Sequence, residues 1–413
     1  MGKTTVKKNG EIIPIILCWL VYSSAYLGRY SYSSNINSII DFYNVSHADA
    51  GLVTTLFFFA YGVGQVVNGL LCSKYNQKTV IFLSLFVSSV INLAIFFGAP
   101  FYTIKYLWLL NGICQSVLWP TLISVLSRAL KGNSLPKALV FMGSTTAVGT
   151  FVVYGISSLL AIWDRFDLSF IIGAILMLLV GLIWLKNYNK YLSADNRNAE
   201  PEREPVVSDG NGKGGFIALI CALALFGVIT NFLKDGLGTW VPSILKEKFE
   251  LTNSLSILLS LALPVLGIFS TKINTVIQVK IPSFTTLCGL WFAMSTVCTG
   301  AVCLLINTNA WYVVLLLFAL INLFMNGANS VITGMAPLYM RNKVNSGLVA
   351  GVLNSFCYLG STISSYGLGY VVDTMGGWGA VFTVFLISSA IPVAVCLMMG
   401  VAKKLKNIRK KAY

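Results

Sequence analysis

Apolar stretches long enough to cross a lipid bilayer recur along almost the whole chain, and that feature decides what it can become. A hydrocarbon core of ~30 Å takes about 20 residues of helix. Twelve such runs can be marked, at 12–39, 48–72, 79–98, 102–127, 136–162, 167–187, 214–242, 252–272, 281–305, 310–337, 345–370 and 378–402. Inside a bilayer only helices and closed barrels satisfy every backbone N–H and C=O, and runs this long without alternation belong to helices. The expected fold is therefore an all-α membrane protein of twelve transmembrane helices. A chain with 56% hydrophobic and 10% charged residues is no water-soluble globule.

The net charge of +15 would suit a nucleic acid partner if it were gathered on one soluble face, but its distribution reports topology instead. With the N-terminus inside, 23 of the 29 basic residues fall on the cytoplasmic side, including the tail "KKLKNIRKK". An even number of spans returns the C-terminus to that side, so both termini are expected in the cytoplasm and nucleic acid is not a partner. The first span is read as its own targeting signal, since no A-x-A cleavage site precedes it. All nine cysteines fall in spans, with no C-x-x-C pair and no histidine cluster. They read as small packing residues, so no metal or cofactor is expected.

The one long polar segment, "KNYNKYLSADNRNAEPEREPVVSDGNGKGG", separates six spans from six. This gives an N-terminal six-helix bundle at 1–187, a cytoplasmic linker at 188–213 and a C-terminal six-helix bundle at 214–413. "GLLCSK" after the second span and "GIFSTK" after the eighth share G-x-x-x-x-K at an offset of 198 residues, as duplicated halves would. Ser46 and Asp49 in "SHAD" form a capping box that opens the second span, which places the sole histidine, His47, in an outer loop.

Arg29 in "AYLGRYSYSSN" lies roughly 6 Å outward of the membrane midplane, at 1.5 Å per residue. An arginine at the centre of a span costs ~2.5–3.5 kcal/mol to insert, so it is expected to face a bundle interior or a cavity. Tyr22 and Tyr26 precede it by seven and three residues and share its helical face. Lys234 in "NFLKDGLGTW" sits at a similar depth in the seventh span, 205 residues on, close to the repeat offset. Two such cations, one from each half, call for an anion between them. Asp235 follows Lys234, but neighbours on a helix are ~100° apart, so the carboxylate is expected to meet another helix and to act in gating or proton coupling.

These residues resemble the organophosphate:phosphate antiporters of the major facilitator superfamily, which include the glycerol-3-phosphate and hexose-phosphate transporters. "YSSAYLGRYSYSSNI" is similar to that family's first helix, in which an essential arginine follows two tyrosines. "FAYGVGQVVNG" places Tyr61 at a family tyrosine, and "NGICQSVLWPTLISVLSR" carries the Q-x-x-x-W-P of the fourth helix. "FLKDGLGTWVPSILKE" has Lys234 where the family has a second arginine. "GYVVDTMGGWGAVF" matches the pattern after the eleventh helix. The departures all concern charge. Gln65 stands for a lysine of the glycerol-3-phosphate transporter, Thr146 for its histidine, and Ser73 for the acidic residue of the superfamily loop motif.

The resemblance implies a secondary transporter in which two six-helix bundles give alternating access to a central site. Arg29 and Lys234 would anchor the anionic group. Tyr22, Tyr26, Tyr61, Gln65, Thr146, Asn231, Asn326 and Tyr358 would hydrogen-bond the rest. The expected cargo is an organic phosphate exchanged for inorganic phosphate, carried by a monomer in the cell membrane. Fewer basic groups than in the family leave organic carboxylates such as sugar acids as an alternative. Some relatives sense sugar phosphate rather than move it, and lipid or drug export is a further rival. No nucleophile, base and orienting acid can be assembled into an enzyme.

Overall fold

The computed structural model describes residues 2–71, 74–130, 134–192, 213–281, 283–340 and 346–411, and every regular element among them is a helix. The spanning helices are α1 (Ile12–Ser34), α2 (His47–Leu71), α3 (Gln77–Phe96), α4 (Phe101–Ala129), α5 (Lys137–Ala161) and α6 (Asp167–Tyr191). They continue as α7 (Ile217–Phe249), α8 (Asn253–Lys280), α9 (Phe284–Leu305) and α10 (Trp311–Met335). After α11 (Ser346–Thr374) the chain ends in α12 (Trp378–Gly400), whose helix runs on to Lys411. Eleven of these are long and apolar enough to cross a membrane. The remaining one, α11, is rich in Ser and Gly, yet its 29 residues span about 43 Å at 1.5 Å each. Of the expected linker at 188–213, residues 193–212 lie outside the described residues, as does Ser73.

Helix ends depart from the apolar runs where polar side chains intervene. α1 stops at Ser34 rather than 39, because Asn35 turns its amide back onto the Ser31 carbonyl at 2.7 Å and onto Ser157 and Ser169 at 3.0 and 2.7 Å. A side chain that bonds the local backbone competes with the helical ladder. A short helix, Ile36–Tyr43, follows and closes on Asn44 in the left-handed region. α7 passes the expected 242 and runs to Phe249, ending at Glu250 with φ 54°. The cap on α2 forms as its sequence foretells, with the Asp49 N–H donating to Ser46 Oγ and that hydroxyl donating to Asp49 Oδ2. His47 is not in a loop. The cap starts the helix at His47, whose Nε2 lies 2.9 Å from Glu247 Oε1 with its ring against Trp240.

The chain forms two compact units. The first comprises Met1–Pro205 with Thr239–Leu261, the second Val206–Gly238 with Ala262–Tyr413, so the division falls inside α7 and at the start of α8. In the first unit α2 packs on α4, α3 on α6, and α1 on both α5 and α6. Trp108, Trp184, Tyr32 and Phe170 are fully buried there. Residues 239–261 are tied to this unit by polar contacts: Ser243 donates to Asn37 at 2.6 Å, Asn253 to Ser38 at 2.9 Å, and Lys246 pairs with Asp41. In the second unit α9 packs on α10 and α12, around Trp291, Phe292, Phe318 and Phe382. Gly360 lets α11 approach α7 so closely that a Cβ there would lie 1.9 Å from the Val228 carbonyl oxygen.

Candidate functional site

The first unit assembles its cluster on α1. Spacings of four and three residues stack Tyr22, Tyr26 and Arg29 on one face, and all three are buried, Arg29 to 4% exposure. The guanidinium carbon lies 4.4 Å from the ring centre of Tyr61, 4.9 Å from Tyr26 and 5.2 Å from Phe57. Such ring faces stabilise a cation by about 0.5–2 kcal/mol each, most when water is excluded. Its Nε donates to Gln115 Oε1 at 3.2 Å. The ring positions are themselves pinned: the Tyr22 and Tyr61 hydroxyls meet at 3.2 Å, and Thr146 donates to the Tyr26 hydroxyl at 2.7 Å. Gln65 is buried one helical turn beyond Tyr61 on α2. Thus Tyr22, Tyr26, Arg29, Tyr61 and Thr146 come together as one contact network.

Behind Arg29 lies a network of neutral amides. Gln115 donates to Asn111 Oδ1 at 3.1 Å, which also accepts from Ser88 at 2.8 Å. Asn111 and Asn92 both donate to the Gly28 carbonyl, at 3.1 and 3.3 Å, and Ser31 donates to Asn92 at 3.0 Å. All of these side chains are fully buried. Together they fix the plane of the guanidinium from α3 and α4 without contributing an anion to it. Gln115, Asn111, Asn92, Ser88 and Phe57 were not among the expected site residues. A signal did exist for two of them, since Gln115 opens the Q-x-x-x-W-P motif and Asn111 stands one turn before it on the same face.

The second unit holds the other cation. Lys234 Nζ lies 3.4 Å from Asp235 Oδ1, with side chains 19% and 14% exposed. Adjacent residues on a helix were expected to point apart; the four-carbon lysine stem closes the gap by bending back. The carboxylate does meet another helix, because Ser361 of α11 donates to its Oδ2. Asn231, one turn before Asp235, donates in turn to Ser361 Oγ at 3.2 Å. Tyr358 stands three residues before Ser361 on the same helix, and its carbonyl accepts from Thr362. Asn326 is held elsewhere: its amide donates to Asn322 Oδ1 at 2.6 Å and to the Asn322 carbonyl, against Gly267 of α8. Nothing in the run "STISSYGLG" marks Ser361 as the partner of a carboxylate. Among the described residues no group of three or more His, Cys, Asp or Glu side chains could hold a metal ion.

Residues 18–296 match the family model of the Major Facilitator Superfamily. Membrane sensor protein UhpC of Escherichia coli is 29% identical over 101 residues, covering 24% of this chain and 23% of that protein. The chain thus matches about a quarter of that relative's length. A probable hexose phosphate transport protein of Chlamydia pneumoniae is 21% identical over 434 aligned residues, covering 95% of this chain and 91% of the relative. Among solved structures, the fold is that of a bacterial homolog of the human lysosomal transporter Spinster, in an inward-facing and occupied conformation. The TM-score is 0.74 with 14% identity, over 93% of this chain and 96% of that one.

Proposed function

The chain belongs to the Major Facilitator Superfamily, and on that premise we propose that this membrane-spanning secondary transporter moves an organic phosphate in exchange for inorganic phosphate by alternating access. The observation that carries the proposal is Arg29, buried among three aromatic rings and held through Nε by a neutral amide. A guanidinium fixed in this way presents a planar fork of the kind that suits phosphate or carboxylate oxygens. Lys234 is the second cation we assign to the anionic group, with Tyr22, Tyr26, Tyr61, Gln65, Thr146, Asn231, Asn326 and Tyr358 recognising the remainder. Asp235 neutralises Lys234 at rest and yields it to the arriving anion. The relative named for hexose phosphate transport supports the phosphate reading. On the same reading both termini lie in the cytoplasm and the protein works as a monomer in the cell membrane; the distribution of basic residues supports that orientation.

A second reading rests on Asp235. Its carboxylate already offsets Lys234, so a singly charged carboxylate such as a sugar acid needs no further compensation. The relative named as a membrane sensor supports a third reading, in which ligand binds without flux. Exchange of labelled inorganic phosphate in phosphate-loaded proteoliposomes separates them. Exchange in the native protein that disappears in Arg29→Ala and Lys234→Ala supports the antiporter. Binding without flux selects the sensor, and flux of gluconate alone selects the carboxylate carrier.

A further inference from the structure

Between α3 and α4 the first unit opens a crevice of about 220 Å³. Its walls are Val80, Leu83 and Val87 of α3 and Ile113 and Val117 of α4, completed by Asn68 of α2. Pro120 has no N–H for the Ser116 carbonyl, and α4 is interrupted at Val117, a wall residue. On the other side α2 is seated tightly, since Gly64 meets Ser116 with no room for a Cβ. The polar groups of the wall are already bonded to protein. Ser84 Oγ donates to the Cys114 carbonyl at 2.7 Å, Asn68 Nδ2 donates to Ser116 Oγ at 2.8 Å, and Asn68 Oδ1 accepts from the Tyr75 hydroxyl at 3.3 Å. A water needs two to four polar partners, and a space far above the roughly 10–15 Å³ that one water requires would have to hold several. A hydrocarbon chain asks for no partner. Leu83 and Ile113 are 48% and 53% exposed on spanning helices, so the crevice opens to the bilayer.

The charge nearby says which lipid fits. At the bilayer surface where α2 ends and α3 begins, Lys74 is exposed and Lys78 stands in the first turn of α3, while Arg128 lies in the last turn of α4 at the same surface. From 50 to 163 the sequence holds no acidic residue, so this surface of α2, α3 and α4 is positive. Tyr75, whose hydroxyl reaches Asn68, is the neighbour of Lys74, so the turn that carries the lysine adjoins the crevice. We infer that the crevice binds one acyl chain of an anionic glycerophospholipid, whose headgroup meets Lys74 and Lys78 at the membrane surface. The inference is independent of the cargo.

Photolabelling of the full chain in phosphatidylcholine vesicles tests this, with a small fraction of phosphatidylglycerol that carries a diazirine in one acyl chain. After irradiation the labelled residues are mapped by mass spectrometry. Label is expected around Leu83, Val87 and Ile113 several-fold above exposed apolar positions elsewhere, such as Leu179 of α6 and Leu304 of α9. The same diazirine on phosphatidylcholine should label the crevice several-fold less. Val87→Trp, which fills the crevice, and Leu83→Trp, which blocks its mouth, should each lose the excess, and either variant decides the matter if the other does not fold. Lys74→Gln combined with Lys78→Gln should erase the difference between the two probes. Even labelling across the lipid-facing helices overturns the site, as does label undiminished in a folded tryptophan variant. Equal labelling of the native crevice by both probes overturns the anionic headgroup.

Discussion

Arg29→Lys keeps the buried charge and removes the fork, so it separates two explanations that Arg29→Ala confounds. In the native protein the Nε–Gln115 bond of 3.2 Å and the three ring faces at 4.4, 4.9 and 5.2 Å hold the guanidinium plane in one orientation. An ammonium on a flexible stem retains the point charge and some of the ring attraction, but it has no plane for Gln115 to fix. It therefore makes one charge-assisted bond to a phosphate where the fork makes two. The lost bond is worth about 1.5–3 kcal/mol. With part of the stacking retained, a net loss of ~2–3 kcal/mol corresponds to about 30- to 150-fold in apparent affinity. The assay is the concentration dependence of phosphate exchange in proteoliposomes, with folded protein verified by gel filtration. We expect the half-saturating concentration to rise by that factor while the maximal rate changes far less. A half-saturating concentration within threefold of native would show that charge alone is used, and would refute the reasoning built on Gln115 and the rings.

Three further outcomes follow from the same geometry. Tyr61→Phe keeps the ring beneath Arg29 and loses the hydroxyl that meets Tyr22, so its exchange should be impaired several-fold less than that of Tyr61→Leu; equal impairment would assign the effect to the hydroxyl. Asn111→Leu strips bonds from Gln115, Ser88 and the Gly28 carbonyl at once. Thermal unfolding in detergent should fall by the equivalent of about 2–4 kcal/mol, with exchange falling further than lost protein explains. Gly360→Ala places a Cβ against the Val228 and Phe232 backbone and should abolish folded protein, whereas Gly367→Ala, with open space around it, should yield native amounts in a gel-filtration comparison.

The sequence makes most of the spans legible because the bilayer sets a length that apolar runs must match, and eleven helices among the described residues meet that measure, while α11, with its Ser and Gly, matches in length alone. Helix ends are less legible. Asn35 stops α1 through a local bond to the Ser31 carbonyl and through bonds to Ser157 and Ser169, and the last two residues, more than 120 positions away, are not visible to a local reading. The face made by Tyr22, Tyr26 and Arg29 follows from helical periodicity alone. The groups that hold it do not, because Gln115, Asn111 and Asn92 come from other helices, and an amide in an apolar run shows nothing of what it packs against. The His47 expectation failed for a related reason: the cap at Ser46 was recognised, but the histidine was placed before the helix rather than as its first residue.

Adjacency on one helix was a sound reason to separate Lys234 from Asp235, and side-chain reach overrode it; the resulting pair has a consequence for which anion is carried. On the proposed reading, in which Arg29 and Lys234 both serve one anion, the carboxylate of Asp235 leaves one net positive charge, which suits a monoanion. Without that carboxylate the net charge is two, which suits a doubly charged phosphate ester. Asp235→Asn removes the charge and keeps the shape of the side chain. It should therefore raise exchange of a sugar phosphate relative to gluconate, measured as the ratio of half-saturating concentrations at about pH 7.5. One charge removed from such a site is worth at least ~1.4 kcal/mol at an effective dielectric of about 20, so the ratio should move tenfold or more. A ratio that stays within twofold, or moves toward gluconate, would mean that Asp235 does not share its charge with the bound anion, and its bond with Ser361 would then serve only to hold α7 against α11.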